Sequence, residues 1–299
     1  MSPGSAARTP VGGVALDVDG VLVDVAQSYR RAIVESLEHV YGETVEHSAV
    51  QRFKNAGGFN DDWELTYAAG LYLLARREGL EMDVETFTAG IERGEGGLMG
   101  AEAVVSGELS GGPLERVRAA WDTDRLRAIF QQLYLGAELY ESLEGVPPTA
   151  LPAHDGFMQD EPTLIAQATI EQLTTSYEVG VVTGRPAAEA RIALSRVGLS
   201  LPDERLFTMD SPLPGKPDPS QLVALAERLA VDSVVFVGDT LDDIETAQRA
   251  GEVDDRRYTS AGVLTGGLTG SQGRARFERE GADIVLGDID ELPGRLSPG

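Results

Sequence analysis

The stretch Val14–Asp24 reads "VALDVDGVLVD". Val14 to Val18 is a short run rich in Val, followed by Gly20, the pattern of a strand buried on both faces of a parallel sheet. Yet the segment also carries Asp17, Asp19 and Asp24. Burying one ionised carboxylate without a partner costs several kcal/mol, and two close together repel each other as well. If this is a buried strand, something cationic waits at its end.

Downstream, the chain has two textures. From Val25 to Glu144 the periodicity is helical: "YRRAIVESLEHVY" (Tyr29–Tyr41) and "DDWELTYAAGLYLLARREG" (Asp61–Gly79) place apolar residues at three- and four-residue spacing. Asp61 and Asp62 stand at the start of the second as N-terminal anions. "LERVRAAWDTDRLRAIFQQLYLGAELY" (Leu114–Tyr140) predicts a third, long helix. The glycine-rich stretch 94–112 predicts a mobile loop. The Pro-rich connector "EGVPPTALPAHDGF" (Glu144–Phe157) marks a boundary.

Beyond it, helices and short Val-rich strands alternate. A helix over Glu161–Ser176 precedes the strand "VGVVT" (Val179–Thr183), and "PAAEARIALSRVG" precedes a strand near "LFTMD". The helix "PSQLVALAERLA" precedes the strand "SVVFVGD" (Ser233–Asp239). The helix "LDDIETAQRAG" then leads to late strands near "AGVLTG" and "ADIVLG". This alternation predicts an α/β fold: a doubly wound parallel sheet covered on both faces. Its first strand lies far upstream, so 25–157 is a helical insert in a core made of 13–24 and 158–299. Residues 1–12 read as a disordered tail.

At 299 residues the chain suits one large domain or two modest ones. A net charge of −24 argues against nucleic-acid and anionic-membrane partners, which it repels. No run reaches the ~18 apolar residues of a membrane helix, and the N-terminus has no apolar signal core, which reads as cytoplasmic. Without Cys there is no disulfide, thiolate nucleophile or Cys-ligated metal. Of 25 Lys plus Arg, only Lys54 and Lys216 are lysines. In composition, an acidic surface so poor in Lys resembles the proteins of salt-accumulating halophiles. The two lysines that remain are candidates for positions that need an ammonium.

In open parallel sheets, ligands sit at the carboxyl ends of strands. Asp17 and Asp19 end the first strand, Thr183 in "VVTGRP" ends another, and Asp239 in "VVFVGDTLDD" ends a third. Lys216, in "LPGKPDP", lies in a loop directly after a strand. The carboxylates become tolerable together if Lys216 and a divalent cation neutralise them, and hard oxygen ligands with open water positions suit Mg²⁺.

"DVDGVLVD", "VVTGRP", "GKPDP" and "GDTLDD", in that order, resemble the four motifs of the haloacid dehalogenase (HAD) superfamily. The helical insert is similar to the cap of its phosphoglycolate-phosphatase-like branch, in subfamily I with a C1-type cap. The resemblance covers roughly 13–24 and 158–290. It implies that Asp17 is a nucleophile giving an aspartyl-phosphate, and that Asp19 protonates the leaving oxygen and then activates water. Thr183 and the neighbouring backbone at Gly184 would hold phosphate, with Lys216 offsetting the developing charge. Mg²⁺ would be held by Asp17, Asp239 and the carbonyl of Asp19, with Asp243, or Asp242 in its place, orienting its water shell. A helical cap would close over the crevice and select the leaving group.

The family's dehalogenases need no acid two residues after the nucleophile, so Asp19 favours phosphate chemistry. The implied activity is Mg²⁺-dependent hydrolysis of a small phosphomonoester such as phosphoglycolate, a sugar phosphate, a nucleotide or histidinol phosphate. A phosphomutase on the same core and a non-catalytic ligand-binding homologue are the alternatives.

Other residues carry two readings. Lys54 either reaches substrate from the insert or anchors a helix end, in a loop with Gly57, Gly58, Asn60 and Trp63. Trp63 reads first as insert core. Arg30 and Arg31 read first as a solvated helix face paired with Glu35, and second as a pair of which one faces an anionic substrate. Arg185 either touches phosphate or caps the next helix. His39, His47 and His154 lack metal-ligand spacing. "GGLTG" (Gly266–Gly270) and "GEGGLMG" (Gly94–Gly100) lack the strand–GxxxxGK–helix context of a phosphate loop.

Overall fold

The computed structural model describes residues 9–59, 61–148 and 155–298. Residues 1–8 of the expected tail, Asn60 of the Lys54 loop, part of the Pro-rich connector and His154 lie outside the described residues. The chain divides into two compact units, Gln27–Glu161 and Met1–Ala26 with Pro162–Gly299. No described helix is long and apolar enough to cross a membrane.

The first unit is helical: α1 (Ala26–Tyr41), α2 (His47–Ala56), α3 (Asp62–Arg77), α4 (Val84–Arg93), α5 (Gly97–Glu108), α6 (Gly111–Ala120), α7 (Thr123–Leu135) and α8 (Ala137–Glu144). Asp61 caps α3 by accepting from Glu64 N at 2.8 Å, and Asp62 and Glu64 add first-turn anions. Most of the middle of α3, from Leu65 to Ala75, is buried.

Two expectations are corrected here. The glycine-rich stretch 94–112 is not a loop: most of it is α5 and the start of α6. Its glycines serve close approach, because Gly97 N donates to Gly57 O at 2.8 Å. A Cβ on Gly97 would sit 2.0 Å from Gly58 O, and Gly97 has φ +54°. The long helix expected over 114–140 is three helices. It breaks at Trp121–Asp122, where Asp122 caps α7 through Arg125 N at 2.9 Å, and at Gly136, whose φ is 80°. At the end of this unit the buried carboxylate of Glu161 accepts from Ser28 Oγ at 2.6 Å and from Tyr134 Oη at 3.0 Å.

The second unit is α/β. Its strands are β1 (Thr9–Val11), β2 (Gly13–Leu16), β3 (Glu178–Val182), β4 (Leu206–Phe207), β5 (Ser233–Gly238), β6 (Arg257–Val263), β7 (Ile284–Leu286) and β8 (Leu296–Pro298). The helices are α9 (Gln167–Ser176), α10 (Ala187–Val197), α11 (Ser220–Leu229), α12 (Leu241–Val253), α13 (Gly270–Arg279) and α14 (Leu292–Arg295). Six strands form one parallel sheet in the order β4-β3-β2-β5-β6-β7. The expected tail is corrected in part: Thr9–Val11 pairs in parallel with Leu296–Pro298 as a separate two-stranded sheet.

Alternation along the strands assigns the two faces. Val14, Leu16, Val179, Val181, Val235 and Val237 pack with Ile170, Leu173, Ala193, Leu194 and Val197, from α9 and α10. Ala15, Val182, Val234 and Phe236 face the other way, onto Leu222, Leu225 and Leu229 of α11 and Ala247 and Ala250 of α12. Every residue of β2 and β5 is buried, because helices cover both sides. The sheet is therefore doubly wound.

The chain runs outward from β2 through β3 to β4, then returns to lay β5 on the other side of β2. The carboxyl ends of β2 and β5 thus flank the topological switch point, where such sheets open a crevice.

Candidate active site

Asp17 follows β2 at that switch point, its amide donating to Val237 O of β5 at 2.9 Å. Its side chain is buried. Oδ1 accepts from Val18 N at 2.7 Å and Oδ2 from Lys216 Nζ at 2.7 Å. The rest of the opening motif is a tight turn, with Leu22 N on Val18 O at 2.8 Å and Gly20 N on Val23 O at 2.9 Å. Val18, Val21, Leu22 and Val23 are fully buried in the core. Asp24 turns out to be a local cap, accepting from Ala26 N at 2.9 Å.

Lys216 comes from the loop before α11 and also donates to Asp243 Oδ1 at 2.6 Å. That loop is braced by the buried Gln221 of α11, whose amide donates to Leu213 O at 3.1 Å and Thr208 O at 3.2 Å. Asp243 has a second task. As the third residue of α12 it completes a capping box with Thr240, accepting from Thr240 N at 2.9 Å and Oγ1 at 2.6 Å. Between the two acids the sequence left open, Asp243 is buried against Lys216, whereas Asp242 is exposed.

Asp239 follows β5, and its Oδ2 accepts from Gly267 N at 2.9 Å. Thr183 follows β3 and is buried; its Oγ1 accepts from Arg185 N at 3.3 Å. Gly184 is exposed, with open space where a Cβ would be. Arg185 is buried, and its Nε donates to the Asp19 carboxylate.

Burial pushes the Asp17 carboxyl up to about 6 against the pull of Lys216, with Asp243 and Asp19 adding to the rise. Asp239 is pushed up to about 8, chiefly by burial and then by Asp243 and Asp17. Burial alone would lower Lys216, but the carboxylates of Asp17 and Asp243 outweigh it and hold the ammonium above the usual lysine range.

Carboxylate oxygens of Asp17, Asp239 and Asp243 lie within 4.8 Å of one another. When Asp17, Asp239 and Asp243 are all ionised, the Lys216 ammonium that touches two of them leaves two negative charges over. All-oxygen donors with a double negative excess fit a hard divalent cation such as Mg²⁺.

The structure thus brings Asp17, Lys216, Asp239 and Asp243 into one contact group and places Asp19 against Arg185. Lys54 belongs to the helical unit, where it pairs with Asp62 at 3.0 Å. Trp63 there donates to Gln131 Oε1 at 3.3 Å under the Arg127 guanidinium, and Arg31 pairs with Glu35 at 2.7 Å.

One element was missed in the sequence: the Thr265–Gly267 turn after β6. Thr265 Oγ1 donates to Gly20 O at 2.5 Å, and a Cβ on Gly266 would sit 1.8 Å from Asp239 Oδ2. The "GG" at a strand's carboxyl end was its only signal.

A buried aspartate cluster at the switch point of a doubly wound sheet defines a class of α/β enzyme folds with a site at the strand ends. The model of the haloacid dehalogenase-like hydrolase family matches residues 11–251. The chain belongs to that family. Imidazoleglycerol-phosphate dehydratase of Phytophthora nicotianae is 30% identical over 301 residues, spanning 97% of this chain and 51% of that protein. N-acetylmuramic acid 6-phosphate phosphatase of Pseudomonas putida is 39% identical over 74 residues, 24% of this chain and 33% of that one. The chain therefore spans about half, or less, of the length of these relatives. A phosphatase from Thermococcus thioreducens shares the fold, with a TM-score of 0.61 at 24% identity over 90% of this chain and 100% of that one.

Proposed function

We propose that this chain hydrolyses a small phosphomonoester with the help of Mg²⁺, using Asp17 as nucleophile. The observation that carries the reading is Lys216 clamped between Asp17 and Asp243, 2.7 Å from one and 2.6 Å from the other. It holds one Asp17 oxygen in place and leaves a carboxylate group suited to a cation beside it.

In this reading an Asp17 oxygen attacks phosphorus in line with the ester oxygen. The P–O bond to the leaving group breaks as the proton of Asp19 passes to that oxygen. Asp19, now ionised, takes a proton from water as the water oxygen attacks phosphorus. The Asp17–phosphorus bond breaks, and inorganic phosphate and the free carboxylate return. Lys216, Thr183 and the backbone at Gly184 face the charge that develops on the phosphoryl oxygens. A bound Mg²⁺, held by Asp17, Asp239 and the Asp19 carbonyl with Asp243 behind them, would neutralise phosphoryl charge and orient the group for attack.

The substrate is a phosphomonoester small enough for such a crevice. Two relatives' names, an N-acetylmuramic acid 6-phosphate phosphatase and an imidazoleglycerol-phosphate dehydratase, put sugar phosphates and an imidazole-bearing phosphate in the test panel beside phosphoglycolate. The test is release of inorganic phosphate from that panel, with Mg²⁺ or EDTA, by the wild type and Asp17→Asn. Mg²⁺-dependent release that the substitution abolishes is the expected result. Isomerised substrate without free phosphate, or binding without turnover, would overturn it.

A further inference from the structure

We infer that Arg185 is a positioning residue for Asp19: its buried guanidinium fixes the carboxyl group that protonates the leaving oxygen. The inference rests on the reading of Asp19 given above and adds to it. The Arg185 side chain is 1% exposed and that of Asp19 29%, so one partner is enclosed by protein and the other opens to solvent. Nε of Arg185 donates to Asp19 Oδ1.

The backbone that carries this guanidinium is itself held. Arg185 N donates to Thr183 Oγ1 at 3.3 Å, and Arg185 O accepts from Met209 N at 3.1 Å. Pro186 follows, which favours extended backbone at Arg185. A planar fork on a pinned, enclosed residue has little freedom, whereas a partly exposed aspartate has water to turn towards. An acid works only within hydrogen-bond reach of the oxygen it protonates. Arg185 gives Asp19 an orienting partner enclosed within the protein.

The competing role, a guanidinium gripping phosphate directly, is separable by leaving group. Phenolate needs a proton to leave well; 2,4-dinitrophenolate does not, and the two esters share one ring. kcat/KM is read for phenyl phosphate and 2,4-dinitrophenyl phosphate with Mg²⁺, in wild type, Arg185→Met, Arg185→Lys and Asp19→Asn. Positioning of the acid predicts that R185M lowers kcat/KM for phenyl phosphate by about tenfold or more, and for the dinitrophenyl ester by less than about threefold. R185K falls between wild type and R185M, and adding R185M to D19N costs little further.

Equal losses on both esters, with a raised inhibition constant for inorganic phosphate, would mean that Arg185 holds phosphate, and would overturn the inference. An unchanged ratio in R185M would reduce Arg185 to a structural role and overturn it too. Should R185M fail to fold in a thermal melt, the ratio in R185K decides in the same way. If D19N itself leaves the ratio unchanged, the reading of Asp19 as the acid fails. If D19N shifts the ratio and the Arg185 variants do not, only the present inference fails.

Discussion

Among the described residues, Asp239 is the carboxyl group of the site hydrogen-bonded to neither Lys216 nor Arg185, and it accepts from the amide of Gly267. Burial raises it to about 8, well above an unfolded aspartate. The folded chain then binds more protons than the unfolded one across the window from about 4 to about 8, so without a cation, stability falls as pH rises through it. A divalent cation favours the ionised form and reverses that cost. Melting temperatures in EDTA are expected to fall between pH 6 and pH 8, and the gain on adding Mg²⁺ to be larger at pH 8 than at pH 6. Asp239→Asn removes the titrating group, and should flatten the EDTA slope and abolish most of the Mg²⁺ gain. Lys216→Met acts differently, because it strips Asp17 and Asp243 of the ammonium between them. Breaking a buried pair from one side costs about 3–5 kcal/mol, and losing a charge-stabilising group costs about 10²–10³-fold in kcat. A melt and a phosphate-release assay on K216M check the two separately. Asp17 and Asp239 stood out because each closes a Val-rich strand, and Lys216 because lysine is nearly absent from the chain. The Arg185–Asp19 pair did not, since its partners lie 166 residues apart and nothing in either segment names the other.

At the level of elements, the glycines separate what sequence reading captures from what it misses. Alternating strands and helices gave away the sheet because burial on both faces imposes Val-rich runs on β2, β3 and β5. The stretch 94–112 misled, because glycine marks both a flexible loop and a close chain crossing. Only the structure tells that Gly97 lies on the backbone of Gly57 and Gly58. Gly97→Ala forces a Cβ to 2.0 Å from Gly58 O at φ +54°, and backbone strain with collision is expected to cost the helical unit at least about 2 kcal/mol. Urea unfolding of the full chain, followed by Trp63 and Trp121 fluorescence, measures it. The Thr265–Gly267 turn escaped notice because its glycines were weighed as a phosphate loop, whereas they make room for Asp239. Gly266→Ala brings a Cβ to 1.8 Å from Asp239 Oδ2, so the carboxylate must move. The expected result is Mg²⁺ affinity weaker by about tenfold or more, the scale of disturbing a group that orients a ligand, with the fold retained. Calorimetric titration with Mg²⁺ reads it, and unchanged affinity would show that the turn does not set the position of Asp239.

For the whole molecule, the governing quantity is a net charge of −24. Two electrostatic effects respond to salt in opposite directions. Exposed ion pairs such as Arg31–Glu35 and Arg249–Glu245 weaken as salt screens them, but each is worth at most about 1 kcal/mol. Self-repulsion among 49 acidic side chains facing 25 basic ones weakens too, and that stabilises the compact state. Acids outnumber bases about two to one, so even full one-to-one pairing leaves about half of the carboxylates over, and repulsion is the larger effect. Raising KCl from 0.05 M to 1 M shortens the screening length from roughly 14 Å to roughly 3 Å, below the spacing of most surface charges. The melting temperature is therefore expected to rise across that range. The same field opposes an anionic ester approaching the site, so kcat/KM for a phosphomonoester is also expected to rise with salt at its low end, where long-range repulsion limits encounter. A melting temperature that falls with salt would mean that local pairs outweigh the net charge. A kcat/KM that falls while the melting temperature rises would mean that Lys216 and nearby arginines focus a positive potential at the site strongly enough to overcome the acidic surface around it.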